Sequence, residues 1–441
     1  MRTHAARLAG CLLLGALAAA CGGGGGSTSS PTTGAPAPSP SAAANLGPPN
    51  VVVILADDLG WGDLGVYGGT AAKTPNIDRM AADGARFTSF YVDAPICAPS
   101  RAAIMTGRWP PAVGIPWNPP DHLDPDEYVI AQPLHDRGYA TGMVGKWHLG
   151  WVPEDMPIHY GFDYYYGVAA GEDEGSFVLG DQPTKDVVNP DQYAFRYTDY
   201  ALKYIKSLGP DRRFFFYLAH RDPHLPNYPA AGYAGTSPGG SYGDTIQQLD
   251  AAVGQFLQGL KDLGLDQNTL VIFTSDNGPA VPPKGPGSTG GLAGGKGSCE
   301  EGGIRVPAIM RWPARIKAGR VVDEPVTTLD LFPTIVALTG ASMPPRHYHG
   351  EDVSRLITGE IDRIPGKGTD GGREIVFWQE GGKPGALRSG KYKYLRPGFW
   401  NTAPTLFDLS VDPREQANLA PSRPELVKQL ETRLQEILAS N

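Results

Sequence analysis

The chain has 441 residues, enough for one large domain or two, and 41% of them are hydrophobic, so a sizeable core is expected. The formal net charge is −8, and no basic run suited to nucleic acid occurs, which argues against a nucleic-acid-binding protein. An anionic substrate would therefore have to be held by local cations and not by the field of the whole molecule.

The N-terminus predicts a secretion signal, because a short basic region precedes an apolar stretch that is too short to span a membrane. The stretch ends in Ala18-Ala19-Ala20-Cys21, and five glycines follow. This arrangement resembles a bacterial lipoprotein signal, except that Ala18 stands where leucine is usual. Leu8-Ala9-Gly10-Cys11 fits the local pattern better, but no apolar core precedes it. We therefore predict a signal peptide over residues 1–21 with lipid attachment at Cys21, and plain secretion is the alternative.

Residues 22–47 are dominated by Gly, Ser, Thr, Pro and Ala and carry no charge. Such a segment cannot bury a core, so we predict a flexible tether. A tether directly after a lipid-attachment site makes sense of both features. The expected location is therefore that of a secreted, membrane-anchored lipoprotein on the cell surface or in the periplasm.

Four short apolar runs predict buried strands of a parallel sheet. Polar residues follow each of them: Asp57-Asp58 after residues 51–55, Lys146 and His148 after 139–144, His220 and His224 after 214–218, and Asp276-Asn277 after 270–273. In open α/β sheets, ligands bind at the edge formed by the carboxyl ends of the strands. We therefore expect these polar side chains to meet at one site.

Helical patterns lie between the predicted strands, over residues 77–83, 200–208, 246–260 and 329–338. Asp244 is the predicted N-cap of the third helix, and Gly264 follows its end. The alternation predicts an α/β fold with a doubly wound sheet that helices cover on both faces. Short strand patterns and a closing helix beyond residue 340 predict a smaller α+β subdomain with an antiparallel sheet. The predicted domains are residues 48–340 and 341–441.

The run Cys97-Ala98-Pro99-Ser100-Arg101, continued by Ala102-Ala103-Ile104-Met105-Thr106-Gly107-Arg108, places a thiol where a helix is expected to begin. Proline suits a first helical turn, and the free N–H groups there favour an anion. Arg101 lies about one helical turn beyond Cys97, close enough to share an anionic ligand. A lone cysteine is more often a buried structural residue. Only Cys299 remains beside Cys97 outside the predicted signal, so we expect no structural disulfide and assign Cys299 no role.

Asp57, Asp58, Asp276 and Asn277 supply hard oxygen donors at two predicted strand ends. Such donors suit Ca²⁺ or Mg²⁺, whereas zinc prefers cysteine and histidine. Calcium takes six to eight oxygens, which leaves room for a substrate and for residue 97. One Asp-Asp pair alone would be a solvated turn, but two acidic pairs after buried strands favour a metal site.

Three further segments hold cations or proton-handling groups. Lys146 and His148, in Gly145-Lys146-Trp147-His148-Leu149-Gly150, would point the same way on an extended segment. His220-Arg221-Asp222-Pro223-His224-Leu225-Pro226 offers two histidines. Gly295-Lys296-Gly297 precedes Glu301-Gly302-Gly303-Ile304-Arg305-Val306-Pro307 in the glycine-rich stretch 279–303. That stretch is not a nucleotide-phosphate loop, because no Gly-x-x-x-x-Gly-Lys-Ser/Thr spacing follows a strand there.

Together these segments resemble the type I sulfatases, an arylsulfatase-like, formylglycine-dependent family of the alkaline phosphatase superfamily. In that family the cysteine of Cys-x-Pro-Ser-Arg is oxidised to formylglycine. The resemblance runs from Asn50 to Asn418 and includes Leu406-Phe407-Asp408-Leu409 with Asp412-Pro413-Arg414-Glu415. It departs at His349-Gly350-Glu351-Asp352, where relatives usually have Asp-Gly.

The resemblance implies an alkaline-phosphatase-like fold, in which helices sandwich a large mixed, mostly parallel sheet. It also implies a sulfuric ester hydrolase acting on aryl sulfates or sulfated carbohydrates. It implies a formylglycine-generating enzyme as the partner that modifies Cys97. Arg101 and the metal would orient the formylglycine hydrate, and Asp276 would accept the proton of the attacking hydroxyl. The implied ligands of Ca²⁺, or of Mg²⁺, are Asp57, Asp58, Asp276, Asn277 and residue 97.

The remaining implied roles concern lysines and histidines. Lys146 would steady the hydrate, and His148 would assist the elimination that restores the aldehyde. Lys296 would bind the sulfate oxygens, and His224 would protonate the leaving oxygen. The alignment selects His224 as the catalytic histidine, so we expect a structural role for His220.

Two other functions stay open. A phosphonate or phosphate ester hydrolase of the same superfamily would use a similar site, because phosphoryl and sulfuryl groups have similar shapes. A non-enzymatic lipoprotein that binds sulfated glycans is disfavoured by the completeness of the reactive set. Specificity is expected in the loops at 109–128, 151–190 and 279–295, and the sequence does not reveal the natural substrate or the oligomeric state.

Overall fold

The computed structural model describes residues 46–118, 122–169, 177–185, 188–398 and 402–440. The predicted signal peptide with Cys21, and all of the predicted tether except its last two residues, lie outside the described residues. Within the described ranges, none of the helices has the length and apolar character that crossing a bilayer requires.

A ten-stranded mixed sheet forms the centre of the fold. In spatial order its strands are β11 (Arg320–Val322), β2 (Ala85–Phe87), β10 (Ala308–Arg311), β9 (Thr269–Ser275), β1 (Asn50–Ala56), β8 (Phe214–Ala219), β4 (Ala140–Lys146), β5 (Tyr164–Val168), β6 (Phe177–Leu179) and β7 (Gln182–Pro183). The run from β9 to β5 is parallel throughout, whereas β10 and β6 pair antiparallel with its two outer strands. The parallel strands are those that the apolar runs predict, and the two antiparallel pairs make the sheet mixed, as the family resemblance implies.

Helices cover both faces of the sheet. In the described residues the α-helices are α1 (Pro75–Ala82), α2 (Cys97–Thr106), α3 (Ala131–Asp136), α4 (Tyr193–Ser207), α5 (Gly240–Asp262), α6 (Glu301–Ile304), α7 (Leu331–Thr339), α8 (Ser354–Thr358) and α9 (Pro424–Ala439). Short 3-10 helices occur at Gly65–Tyr67, Pro110–Val113, Pro153–Asp155, Pro157–Tyr160, Pro190–Gln192, Asp266–Asn268, Thr328–Asp330 and Ala420–Ser422.

The two faces of β1 belong to different hydrophobic clusters. Val51, Val53 and Leu55 pack into a cluster that includes residues of α2 and α7. Val52 and Ile54 pack into a second cluster that includes residues of α1, α4 and α5. Because successive side chains of a strand point to opposite faces, β1 is buried on both sides, which explains its unbroken apolar sequence.

The C-terminal part contains a separate antiparallel sheet of four strands, β13 (Glu374–Gln379), β14 (Lys383–Ser389), β15 (Tyr392–Leu395) and β16 (Thr405–Asp408). Val376 and Leu387 pack against Leu430 and Leu434 of α9. Phe377, by contrast, belongs to the same cluster as one face of β1. This sheet therefore lies between the closing helix and the main core. A two-stranded parallel pair, β3 (Phe90–Tyr91) and β12 (Val326–Thr327), completes the described strands.

Two helix starts differ from the sequence predictions. Helix α5 begins at Gly240, so Asp244 lies inside the helix and is not its N-cap. Its carboxylate instead accepts the backbone N–H groups of Gly235 and Ser237, each at 2.7 Å, and so holds the preceding loop. Helix α4 begins at Tyr193, earlier than the predicted residue 200, because buried aromatic side chains extend its inner face.

A buried ion cluster joins the C-terminal sheet to the main domain. The ammonium of Lys393 on β15 lies 3.0 Å from a carboxylate oxygen of Glu301 and 2.9 Å from one of Glu415. The backbone N–H of Glu301 also donates to Glu415 at 2.6 Å. Glu301 begins α6, directly after the loop that carries Lys296. The cluster therefore links the last quarter of the chain to that loop.

Candidate active site

The carboxyl edge of the parallel strands gathers the predicted polar residues. Asp57 and Asp58 follow β1, and Asp276 and Asn277 follow β9. Lys146 ends β4, and Cys97 is the first residue of α2. These six side chains are all buried, with at most 4% of each residue exposed. Parallel strands end at the same edge of a sheet, which is why segments distant in sequence converge here.

Asp57 lies at the centre of a cationic cluster. Its Oδ2 is 2.6 Å from Nζ of Lys146 and 3.4 Å from Nη2 of Arg101. Its Oδ1 is 3.6 Å from Sγ of Cys97. Burial alone would raise the pKa of Asp57, but the ammonium of Lys146 and the other nearby cations outweigh it and hold the pKa well below its usual range. Asp57 is therefore ionised in the folded protein.

Arg101 fixes the position of Asp276. Its Nε and Nη2 lie 2.9 and 2.8 Å from Oδ2 of Asp276, and its Nη1 donates to the backbone oxygen of Lys146 at 2.9 Å. Burial and the nearby Asp57 carboxylate raise the pKa of Asp276 despite the guanidinium. A buried carboxylate with a raised pKa can accept a proton. Arg101 reaches this site because it lies one helical turn beyond Cys97, as the sequence spacing predicts.

Asp58 connects the buried cluster to the more open side of the site. Its carboxylate lies 2.7 Å from Nζ of Lys296 and 3.5 Å from Nε2 of His224. Nζ of Lys296 is also 3.1 Å from Nε2 of His224. The side chains of His224 and Lys296 are 15% and 22% exposed, in contrast to the buried residues behind them. These two groups are therefore the ones placed to meet an incoming substrate.

The donor set fits a hard divalent cation. Ligand atoms of Asp57, Asp58, Cys97 and His224 all lie within 4.8 Å of one another. Oδ1 of Asn277 is buried and has no hydrogen-bond partner among the described residues. Its amide nitrogen meanwhile donates to Asp58 at 2.6 Å, which holds this oxygen beside the cluster. Two buried carboxylates and an amide oxygen are ligands that Ca²⁺ and Mg²⁺ prefer. Asp276 lies next to these ligand residues, and its Oδ1 accepts the backbone N–H of Asp58 at 3.1 Å.

Comparison with known proteins shows similarity to sulfatases over most of the chain. A model of the Sulfatase family matches residues 49–341. The chain belongs to the sulfatase family. Arylsulfatase A of Bos taurus is 37% identical over 453 residues, covering 87% of this chain and 87% of that protein. N-acetylgalactosamine-6-sulfatase of Canis lupus familiaris is 37% identical over 396 residues, covering 80% and 73%.

Solved structures extend the likeness to the fold. Ps i-CgsB matches this sulfatase with a TM-score of 0.80 and 29% sequence identity, over 88% of this chain and 92% of that chain. The alkaline-phosphatase-like architecture expected from the sequence is thereby confirmed. As a sulfatase, the protein is an enzyme that hydrolyses sulfate esters.

The backbone at His148 differs from the sequence expectation. Strand β4 ends at Lys146, and His148 has a left-handed backbone with φ of 62°, so the segment is not extended. His148 is nevertheless close enough to interact electrostatically with Lys146 and Asp57, and its backbone N–H donates to the oxygen of Ala169 at 3.1 Å. Burial and the nearby ammonium of Lys146 lower the pKa of His148 well below its usual value. His148 is therefore neutral.

Two other histidines lie apart from the reactive cluster. His220 is fully buried, and neither ring nitrogen has a hydrogen-bond partner among the described residues. Burial lowers its pKa to about 3, so it is a neutral core residue. His349 stacks on Trp109 with ring centroids 3.9 Å apart and accepts the backbone N–H of that residue at 3.0 Å. It faces a separate cavity and does not line the one beside Lys296.

A cavity of about 730 Å³ opens beside Lys296 in this sulfatase. Its lining residues are Ile96, Trp117, Ala280, Val281, Pro282, Pro283, Lys284, Gly294, Gly295, Lys296, Gly297, Ser298, Glu300, Gln379 and Glu380. Two of the three loops expected to set specificity, 109–128 and 279–295, contribute to this wall, whereas the described residues of 151–190 do not. The sequence does not predict that Gln379 and Glu380, at the end of β13, line this cavity. Only the approach of the C-terminal sheet places them there, so no local signal in the sequence could have found them.

Proposed function

We propose that this sulfatase works through a formylglycine formed from Cys97, together with a divalent cation, Ca²⁺ or alternatively Mg²⁺. The observation that carries the proposal is the position of Sγ of Cys97, 3.6 Å from Asp57 and 4.0 Å from Asp58. Lys146 binds the other oxygen of Asp57, and Lys296 binds both oxygens of Asp58. Residue 97 thus lies between two cationic side chains, where a tetrahedral anion would be held.

An unmodified thiol is poorly suited to the role of nucleophile at this position. Burial raises the pKa of Cys97 well above its ordinary value, so the thiol stays protonated. An aldehyde hydrate would instead supply two hydroxyls on one carbon, one for attack at sulfur and one whose deprotonation restores the aldehyde. Asp276 is the proton acceptor for the attacking hydroxyl, because it is buried, fixed by Arg101 and has a raised pKa.

The side chains on the open side handle the leaving group and the sulfate. Lys296 binds the sulfate oxygens, and His224 at 3.1 Å from it protonates the leaving oxygen. Lys146 steadies residue 97 through their shared partner Asp57. The neutral ring of His148 is suited to accept the proton that is released when the aldehyde is restored.

The proposed cation would be held by Asp57, Asp58, Asn277 and residue 97, and Asp276, next to Asp58, would be a further ligand. It would polarise the sulfate oxygens and the hydroxyls of residue 97. Three cationic side chains, Arg101, Lys146 and Lys296, offset the three aspartates, so a divalent cation would make the pocket net positive. That local charge would offset the acidic character of the whole chain.

Mass spectrometry and sulfate release test the proposal together. In protein from the native host, the tryptic peptide 87–101 should carry formylglycine at residue 97. Cys97→Ala should release no sulfate from 4-nitrophenyl sulfate, whereas Cys299→Ala, the matched buried cysteine, should keep the wild-type rate. An active enzyme whose residue 97 is still a thiol would overturn the mechanism, and faster turnover of an aryl phosphonate in the same assay would favour the phosphonate hydrolase.

We also propose the biogenesis expected from the sequence: export by residues 1–21, lipid attachment at Cys21, a tether over 22–47, and a partner enzyme that generates formylglycine. The protein would then lie on the cell surface or in the periplasm. The catalytic domain over 48–340 and the C-terminal subdomain over 341–441 remain the proposed division, supported by the family match to 49–341. Cys21→Ser should abolish partition into detergent, and Cys11→Ser should not.

A further inference from the structure

Asp58 presents its carboxylate to the site from an unusual backbone conformation. Its φ is 62°, a left-handed value that residues other than glycine seldom adopt. From this backbone its two carboxylate oxygens lie 2.7 and 2.8 Å from Nζ of Lys296, and one of them lies 3.5 Å from Nε2 of His224. Such a conformation persists only where the surrounding structure fixes it. The contacts around Asp58 therefore decide where its carboxylate points.

The first part of the turn after β1 is held from the side of β9. The backbone N–H of Asp58 donates to Oδ1 of Asp276 at 3.1 Å, and the backbone N–H of Leu59 donates to the hydroxyl of Ser275 at 2.9 Å. These bonds fix the beginning of the turn. Its end, at residues 60–63, is held by a different group.

Asp63 holds that end of the turn, and the proposed mechanism does not use it. The residue is fully buried, and its carboxylate accepts three hydrogen bonds. Oδ2 accepts the backbone N–H of Gly60 at 2.7 Å and the hydroxyl of Tyr242 at 2.6 Å, and Oδ1 accepts the backbone N–H of Ser288 at 2.9 Å. A buried carboxylate is costly unless it is hydrogen-bonded. This one carboxylate therefore ties together the turn after β1, helix α5 and the loop 279–295.

Tyr242 brings α5 to the same point. It is 4% exposed, and its hydroxyl lies 3.3 Å from the backbone oxygen of Asp58. A phenol has one hydrogen to donate, so the shorter bond to Asp63 is the main one. A Cβ at Gly287 would lie 2.9 Å from this hydroxyl, so the loop 279–295 closes over it. Tyr242 thus contacts the turn that carries Asp58, the carboxylate that holds the turn, and the loop beyond it.

The turn after β1 and the loop 279–295 pack backbone to backbone. The N–H of Gly62 donates to the oxygen of Ser288 at 3.0 Å, and a Cβ at Gly60 would lie 2.1 Å from that same oxygen. The loop leads to Lys296, whose own backbone N–H donates to the oxygen of Pro279 at 2.9 Å. A shift of the turn relative to the loop would therefore change the geometry of the ion pair between Asp58 and Lys296.

We propose that Asp63 and Tyr242 are positioning residues, which direct the Asp58 carboxylate toward Lys296 and the cation. Neither residue lines the cavity beside Lys296, so both would act through Asp58 and not on the substrate. The inference rests on the proposed function, because Asp58 is a proposed ligand of the cation. Groups that orient metal ligands typically contribute about 10–100-fold to metal affinity or activity.

Calorimetric titration of the EDTA-treated protein with Ca²⁺, and of a separate sample with Mg²⁺, tests the proposal. Tyr242→Phe removes one hydroxyl and keeps the ring, so it should fold and raise the Kd of the bound ion about tenfold. Asp63→Asn should raise the Kd up to about a hundredfold. Its effect is larger because an amide has one acceptor oxygen for three donors and turns its own N–H groups toward one of them.

Two matched control variants lose buried hydrogen bonds elsewhere. The hydroxyl of Tyr139 donates to the backbone oxygen of Pro49 at 2.9 Å, at the amino edge of β4 and β1. The carboxylate of Asp250 accepts the backbone N–H groups of Asn76 and Ile77 at the start of α1. Tyr139→Phe and Asp250→Asn should lower the melting temperature, as the test variants do, but should leave the Kd of the ion unchanged.

The variant that combines Asp63→Asn with Tyr242→Phe distinguishes a joint role from two independent ones. Because the two residues act through one hydrogen bond, its Kd should rise by less than the product of the two single effects. A wild-type Kd in either single variant would overturn the proposal, as would single effects that multiply in the double variant. Failure of the proposed function would look different, because the wild type itself would bind neither ion and would release no sulfate from 4-nitrophenyl sulfate.

Discussion

His224 is the residue whose chemistry depends most on the nature of the substrate. It is one of the two partly exposed groups of the reactive cluster, with Nε2 directed to Lys296 at 3.1 Å and to Asp58 at 3.5 Å. Its neighbours are therefore a cation that would bind sulfate and a carboxylate that can orient the ring. A general acid in this position matters most where the leaving alcohol is a poor one.

We expect His224→Ala to lower kcat for an alkyl or sugar sulfate by about 10²–10⁴-fold, the usual contribution of a positioned acid. The loss for 4-nitrophenyl sulfate should be much smaller, because nitrophenolate leaves without a proton. Steady-state kinetics with both substrates would check this, with His135→Ala, an exposed histidine on α3, as control. Equal losses for the two substrates would contradict the role of acid.

Most residues of the candidate site can be predicted from the sequence. Asp57, Lys146, His224 and Asp276 each come just after a buried apolar run, and parallel strands must end at one edge. Contacts within the site were not predictable, because they depend on side-chain geometry across segments. The turn at His148 is an example: sequence spacing reveals neither its left-handed backbone nor the hydrogen bond from its backbone N–H to Ala169.

Among the elements, β15 carries a buried lysine whose two acidic partners come from other parts of the chain. Lys393 is fully buried between Glu301 and Glu415, and Glu301 also accepts the hydroxyl of Tyr91 at 2.8 Å. The segment around Glu415, which is part of the resemblance to the sulfatases, therefore has a structural role. The Glu415 carboxylate accepts the backbone N–H of Glu301 and so holds the start of α6, next to the loop of Lys296.

Lys393→Met should destabilise the protein by about 3–5 kcal/mol, because it leaves the buried Glu415 carboxylate without its cation and Glu301 with only Arg305, at 3.3 Å. Chemical denaturation would measure the loss. Lys391→Met is the matched control, since that lysine pairs with Asp408 at the surface and solvent screens the pair, so its effect should be far smaller. A similar free energy of unfolding for both variants would show that the buried cluster does not stabilise the fold.

Element types followed from the sequence better than element boundaries did. Unbroken apolar runs predict the four central strands, and short strand patterns separated by turns predict the four strands of the C-terminal sheet. Helix α5 started earlier than expected because Asp244, a residue type favoured at N-caps, bonds instead to the N–H groups of a preceding loop. The Asp244 carboxylate could cap the helix or bind the preceding loop, and only tertiary packing decides between these two roles.

For the whole molecule, the proposed cation should act on stability as well as on catalysis. The buried carboxylates of Asp57 and Asp58 lie against Cys97 and His224 within 4.8 Å. A ligand that binds only the folded state stabilises it, by about 2.7 kcal/mol at a hundred times its dissociation constant. Removal of the cation should therefore lower both the melting temperature and the rate of sulfate release.

Calorimetry and sulfate release before and after treatment with EDTA would test this expectation, followed by addition of Ca²⁺ or Mg²⁺ to separate samples. Recovery of both quantities with one ion would identify the ion. Asp58→Asn should make the melting temperature insensitive to EDTA. If chelation changed neither quantity in the wild type, no exchangeable cation would be present at this site.

The complete burial of residue 97 means that any enzymatic modification of it must precede folding. Every residue of α2 is buried, and the packing around it draws on segments up to the C-terminal sheet. If Cys97 is converted to formylglycine as proposed, the modifying enzyme would have to bind the Cys97 peptide while the chain is still unfolded, during or just after synthesis. Slower folding or delayed export should then raise the fraction of oxidised molecules, and a hyperstable, fast-folding variant should accumulate as permanently inert protein.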